Sequence, residues 1–442
     1  MGMKRHTWIV SAAVSVLSVF LAAAGPVRGE GLSLRDAVNR ALTHNPLVSE
    51  ERLGVEAGSQ GILSAAGKRL PRLSLDLDYT KRQDPVPFLP AQSAAIPPHF
   101  SDEFASWGVL LTLPLYQGGR ISNHVKLASV RRDLQEDSLA RTRNDLIANT
   151  VNSYNKILQL MALRKASAAS VAALEEQVKN SRLLLEVGRI ARVDLLKVEV
   201  QLANERQRLL TLDEGIATAG ATLRYLMGED PDPEAGPPPL SDTLVMPEAP
   251  SEPALGSIDA ARNRPEYRAA LLGVEEAELA RKIALGALLP SVSATGGYAD
   301  SFGFQPSYDE GNWFVGLLAS VPLFDRSLHA DLALERILKE RADEALRAVD
   351  QRLRLDVVTS VASLRESRHR VETARQVIEQ ARESFRIEQE KYGSGAGTMS
   401  DLLLAQAADI TAAANYTQAL FDYNAALVAY RRATGTLEEF RQ

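Results

Sequence analysis

From Arg120 to Val187, and again from Leu323 to Tyr392, the chain contains neither glycine nor proline. Each run is about 70 residues long, whereas a globular helix averages ~10–14. At 1.5 Å rise per residue, such a helix is a rod of roughly 100 Å. Apolar residues recur along both runs in steps of three and four. They fall at Val151, Tyr154, Leu158 and Met161, at Val171, Leu174 and Val178, and at Val371, Ala374, Ile378, Ala381 and Phe385. A stripe of this kind packs against neighbouring helices. Many flanking positions are Ala or Ser, and the opposite faces are heavily charged. A rod with one packed stripe and one wet face suits a ring of helices around water, or an ordinary soluble coiled coil.

A strand pattern precedes each rod. In LSLDLDYT, Leu73, Leu75, Leu77 and Tyr79 alternate with Ser74, Asp76, Asp78 and Thr80, which gives one apolar and one strongly polar face. Trp107, Val109, Leu111, Leu113 and Leu115 continue the pattern in a second segment, and Trp313, Val315, Leu317, Ala319 and Val321 in a fourth. SVSATGGY is a weaker third. Segments of about ten residues suit tilted membrane-spanning strands. A soluble sandwich edge alternates in the same way. Outside the N-terminal apolar run, Trp107 and Trp313 are the only tryptophans, and both open a strand. That is where the aromatic girdle of a membrane barrel sits. Four strands cannot close a barrel, for which about eight is the lower limit. An open sheet edge in lipid leaves backbone groups unpaired, at several kcal/mol each. Strands of this number in a membrane require several chains to share one barrel.

The chain is a tandem repeat. LTHNPLVSEE (Leu42–Glu51) matches ARNRPEYRAA (Ala261–Ala270), so Pro46 and Pro265 lie about 219 residues apart, as do Leu70-Pro71 and Leu289-Pro290. LTLPLYQGGR matches LASVPLFDRS, with Pro114 facing Pro322 at about 208. Asp194-Leu195-Leu196 matches Asp401-Leu402-Leu403, and Gly228 matches Gly435, at about 207. The change of shift, about 11 residues, falls where the first copy carries the longer segment RQDPVPFLPAQSAAIPPHFSDE, read as a surface loop. Each copy orders its parts as helix, strand, loop, strand, long helix, turn and shorter helix. The expected organisation is a first repeat over 30–228, a Pro-rich linker over 229–256 that cannot be a regular helix, and a second repeat over 257–442.

Composition excludes several function classes. By length alone 442 residues hold two to four domains, and the net charge of −6 gives no basic footprint for nucleic acid. Cysteine is absent, which removes disulfides, thiol catalysis, thiolate metal sites and a lipid-anchored N-terminal Cys. Six scattered histidines form no pair at metal-ligand spacing. No nucleophile-elbow, phosphate-loop or metal motif supports an enzyme, and no cofactor is expected. Lys4 and Arg5 precede an apolar run ending in small residues, the layout of a secretory signal peptide over 1–29, cleaved after Ala24 or Gly29. No later stretch reads as a transmembrane helix, so membrane insertion falls to the strands.

Both rods break at matched turns, LEVGRIARVDLL (Leu185–Leu196) and YGSGAGTMSDLL (Tyr392–Leu403). Glycine permits the reversal, and Asp194 or Asp401 falls early in the returning helix, at the favourable end of its dipole. An aspartate there is a helix-start residue, or, with several copies around an axis, part of a carboxylate ring at the narrow end of a tube.

LSLRDAVNRALTHNP, LPRLSLDLDY, LTLPLYQGGR, NRPEY, LPSVSATGGY, VPLF and YGSGAGTMSDLLLAQ, in this order and duplication, resemble the TolC family of outer-membrane efflux proteins over essentially the whole mature chain. The resemblance implies a mainly α protein with membrane β: a homotrimer in which each chain gives four strands to a twelve-stranded barrel and its long helices to a periplasmic α-helical barrel. It implies a passive exit duct of a Gram-negative-type outer membrane, in contact with its lipid and coupled through a periplasmic adaptor to an inner-membrane transporter, in tripartite efflux or type I secretion. In family members a Tyr, an Arg and Asp residues near the tips shut the periplasmic end. Tyr392 matches the Tyr, Asp401 the first tunnel-lining Asp, and Asp194 the Asp that binds these partners from the other hairpin. Gly397 stands where the Arg is expected and Leu404 where a second Asp is expected. Arg189 and Arg192 are the candidates to replace that Arg. Gly188, Arg189 and Gly395 lie at the tips and are the candidates for adaptor docking. The alternative is that the chain is itself a periplasmic adaptor; an adaptor needs one hairpin flanked by lipoyl-like and barrel modules, and this chain has two hairpins, each preceded by strands.

Overall fold

The computed structural model describes residues 31–89, 99–247, 261–304 and 307–441. The expected signal peptide and the last part of the linker lie outside them. Two short helices come first, α1 (Leu34–His44) and α2 (Pro46–Gly67), followed by strands β1 (Arg72–Leu89) and β2 (His99–Gln117). Then come α3 (Arg120–Glu186) and α4 (Arg192–Leu226). The second set is α5 (Pro265–Ala287), β3 (Ser291–Phe304), β4 (Ser307–Ser320), α6 (Arg326–Gly393) and α7 (Met399–Thr434). The rods α3 and α6 run for 67 and 68 residues without interruption.

Each rod is accompanied by two shorter helices laid end to end along it. α2 and α4 pack on α3, and α5 and α7 pack on α6. Asn45 forms the joint in the first set. Its Oδ1 accepts from the Leu47 N–H, capping α2, while its amide donates to the Leu226 carbonyl at 2.9 Å, capping α4. Because α2 and α4 must meet here, Asn45 is buried. The stripe residues Val151, Tyr154, Leu158, Leu174, Val178, Val371 and Ile378 are buried, whereas Met161 is 41% exposed. α3 also contains a stretch apolar enough to cross a bilayer by length and composition. This corrects the sequence expectation that no such stretch follows the N-terminus. Only 28% of that stretch is buried within the chain.

The strands form one antiparallel sheet in the order β1-β2-β3-β4. They outrun the expected ten residues: β1 and β2 continue through most of RQDPVPFLPAQSAAIPPHFSDE, the segment read as a loop. Pro85 and Pro87 lie where the register against β2 is irregular, slipping between Lys81 and Val86 and again between Pro87 and Leu89. Register puts Leu73, Leu75 and Leu77 on one face with Val109, Leu111, Tyr298, Trp313, Val315 and Leu317. Ser74, Asp76, Asp78, Ser106, Thr112 and Thr295 share the other, together with Leu110, Phe314 and Leu318.

Where sheet becomes rod, backbone touches backbone. Gly118 has φ +61°, and a Cβ on it would lie 2.2 Å from the Gly286 carbonyl oxygen. A Cβ on Gly286 would lie 2.5 Å from the Gly118 oxygen. Only glycine at both positions lets the β2–α3 elbow of the first copy seat on the end of α5 in the second.

The Pro-rich segment departs most from its description as a linker. Residues 229–247 are non-helical, as composition requires, but they pack as a belt. Leu32 and Leu240 form a parallel bridge, and the Ser241 N–H donates to the Leu32 carbonyl. The Tyr154 hydroxyl lies 2.7 Å from both the Leu32 carbonyl and the Asp242 carboxylate. Burial, then the Asp242 carboxylate, pushes the Tyr154 phenol far above its usual pKa. On α7, the Asn424 amide donates to the Val245 carbonyl and the Tyr423 hydroxyl to that of Pro247. The belt thereby ties the first copy to the second.

Candidate functional site

The far ends of the two hairpins turn identically. At the first, the Arg189 N–H donates to the Leu184 carbonyl at 2.8 Å and the Gly188 N–H to that of Leu185 at 3.0 Å. At the second, the Ala396 N–H donates to the Lys391 carbonyl and the Gly395 N–H to that of Tyr392. Both are Schellman caps, with Gly188 at φ +73° and Gly395 at φ +79°. A side chain on either glycine would meet open space, and Arg189 is exposed beside one of them.

Leu174, Val178, Val198 and Leu202 of the first hairpin share a core with Met399 and Leu402 of the second, and Tyr392 packs against it. Burial, and secondarily the Asp194 carboxylate, raise the Tyr392 phenol above its usual pKa, so it remains a neutral donor. Tyr392 and Asp194 are thus brought together. Asp401 is not joined to them. It accepts from the Thr398 hydroxyl at 2.6 Å, while its N–H donates to the same oxygen, which caps α7. Its carboxylate is exposed, and Leu404, three residues on, is 76% exposed.

The cation at this site is Lys197. Its ammonium lies 3.4 Å from Asp194 Oδ1 on its own helix and donates to Ser400 Oγ on the other hairpin at 2.7 Å. Among the described contacts neither Arg189 nor Arg192 takes the role suggested for them from sequence. Both precede Asp194, on the turn or at the helix start, whereas Lys197 stands one helical turn after it and on its face. The turn is tight at Gly397. A Cβ there would lie 3.1 Å from Lys391 Cβ and from the Tyr392 backbone nitrogen. A side chain there requires its neighbours to give by a few tenths of an ångström.

At the opposite end, the Trp107 and Tyr298 rings pack at 5.4 Å, and Trp313 is directly opposite Tyr298, 73% exposed. Tyr298 joins the two tryptophans in one aromatic row; the weak alternation of SVSATGGY had hidden it. The row lies ten residues above the end of β2, roughly 24 Å for a strand tilted ~45°. β1 and β4 have no partner on their outer edges among the described residues.

Residues 37–229 and 258–436 match the outer membrane efflux protein family, one segment for each structural copy. The chain belongs to that family. The outer membrane efflux protein BepC of Brucella suis is 23% identical over 412 residues, covering 92% of this chain and 86% of BepC. TolC of Vibrio cholerae is 22% identical over 425 residues, covering 92% of this chain and 91% of that protein. The crystal structure of the outer membrane protein VceC from Vibrio cholerae superposes with a TM-score of 0.77 at 18% identity, covering 91% and 96% of the two chains. The protein is an outer-membrane exit duct of the TolC family, with its helical portion in the periplasm. Membership removes the adaptor alternative.

Proposed function

We propose that three copies of this chain form one channel, each supplying four strands to a twelve-stranded barrel and its rods to a periplasmic tube. The observation that carries this reading is a four-stranded membrane-type sheet, open at both edges, directly continuous with the rods. Such a sheet is stable in lipid only when further strands satisfy its edges. Trp107, Tyr298 and Trp313 form the outer girdle of that barrel. The tips form the periplasmic gate, built from Asp194, Tyr392, Asp401 and Lys197, and Leu404 narrows the passage above Asp401. Gly188, Arg189 and Gly395, exposed on the two turns, are the docking points for a periplasmic adaptor that links the duct to an energised inner-membrane transporter. The channel itself is passive, and its acidic entrance favours cations.

Single-channel recording of the mature protein in a planar bilayer tests this reading. Stable conductance steps with cation preference are expected, and Asp401→Lys should invert the preference. Steps with unchanged selectivity in that variant would remove Asp401 from the gate, and a folded protein that never inserts would overturn the channel.

A further inference from the structure

The two copies are related by simple shifts, 219 residues from β1 to β3 and 208 from β2 to β4. These shifts came from prolines outside the β1–β2 and β3–β4 pairings, yet they reproduce the register of the second hairpin. Leu77 pairs with Trp107, and the shifts turn this into Gly296 with Val315, the pair that is present. Arg72 with Thr112 becomes Ser291 with Ser320, and Lys81 with Glu103 becomes Asp300 with Gly311, both also present. Within one chain the sheet therefore repeats as a unit of two strands.

The same shifts carry the β2–β3 seam onto a seam between β4 and the β1 of another copy. This step rests on the shared barrel proposed above. Val109–Tyr298 becomes Leu317 opposite Tyr79, Leu111–Gly296 becomes Ala319 opposite Leu77, and Leu113–Ala294 becomes Val321 opposite Leu75. Past the bulge, Tyr116–Val292 becomes Phe324 opposite Leu73, and Gln117–Ser291 becomes Asp325 opposite Arg72. The last pair joins opposite charges.

Two observations independent of the shifts fit this seam. Leu115 and Tyr116, which lie beside β3, are about half exposed, whereas their counterparts Leu323 and Phe324 are each 93% exposed. The first copy has a strand beside its elbow and the second lacks one. Asp325 also caps α6 through Oδ1, accepting from the Ser327 N–H and hydroxyl, and the residue is exposed, within reach of a guanidinium. Arg72 has no ion pair among the described residues.

We propose that the β4–β1 seam between copies in this barrel takes the register Ala319 opposite Leu77, that residues 321–325 extend β4 along it, and that an Asp325–Arg72 ion pair closes its periplasmic end. The occupant of both open edges is a second copy of the chain.

The absence of cysteine makes the test direct. Directly opposite residues stand about 4.5–5.5 Å apart at Cα, within disulfide reach, whereas residues displaced by two lie ~7–8 Å away. The double variant Ala319→Cys/Leu77→Cys should oxidise to covalently linked dimers and trimers, with roughly tenfold or greater yield over Ala319→Cys paired with Leu75→Cys or Tyr79→Cys. A ladder from a displaced pair instead would overturn the register while leaving the shared barrel standing. Particles of trimer mass with no ladder from any pair would overturn the β4–β1 seam. Monomers by mass would overturn the shared barrel itself. For the ion pair, Asp325→Asn retains a capping oxygen. Asp325→Asn and Arg72→Ala should each lower the temperature at which the assembly dissociates, and the double variant should fall no further than the lower single. Additive losses would overturn the pair.

Discussion

At the scale of residues, one ammonium group spans the two hairpins. Lys197 reaches Asp194 on α4 and Ser400 on α7, and Tyr392 lies close enough for its phenol to feel the Asp194 charge. An exposed pair of this kind contributes about 0.2–1 kcal/mol and is screened by salt. Lys197→Ala should therefore raise single-channel conductance, and Lys197→Glu, which sets a carboxylate against Asp194, should raise it further. With conductance normalised to bulk conductivity, the wild type should move toward the Lys197→Ala value as salt increases. Equal conductance in all three proteins would remove Lys197 from the gate. The placement of Lys197 three residues after Asp194 was visible in the sequence, but Ser400 lies 203 positions away, so the link between hairpins was not. Resemblance directed attention to the missing arginine at Gly397, whereas the tight turn there and the reach of Lys197 to Ser400 follow only from three-dimensional packing.

At the scale of elements, rods and strands were legible because period and punctuation are local properties of the chain. The uninterrupted runs became α3 and α6 almost to the residue, and alternation identified all four strands. Strand ends were less legible. β1 passes through two prolines because its register against β2 slips there, which depends on what the strand lies beside. The elbow likewise depends on a contact between copies. Gly286 lies within a helix, where glycine is ordinarily unfavourable, and its reason is the carbonyl of Gly118. Gly286→Ala forces two backbones apart and should destabilise the protein by about 1–3 kcal/mol. Gly273→Ala, on the same helix with nothing near its Cβ, should be neutral or stabilising by up to ~1 kcal/mol. Unfolding midpoints followed by helical circular dichroism compare the two; equal midpoints would show that the elbow yields to an extra methyl.

At the scale of the whole molecule, the belt decides whether the two copies behave as one body. Its composition showed only that it is not a helix, since the groups that hold it lie 88 and 176 positions away in the chain. Tyr154→Phe keeps the ring in its apolar cluster and removes the hydroxyl shared by Leu32 and Asp242. The expected cost is about 1–3 kcal/mol, with faster proteolytic nicking between residues 229 and 247. An unchanged nicking rate would mean that the remaining bonds hold the belt alone. The open edges of the sheet have a different consequence. Three of every four strand seams in the proposed barrel form inside a chain, without a second molecule, and the fourth depends on an encounter. A chain with a sound β1 and a spoiled β4 would accept one neighbour and refuse the next, leaving a ring that never closes. Such a variant acts as a poison when expressed beside normal chains, because the yield of intact ducts then falls with the cube of the normal fraction.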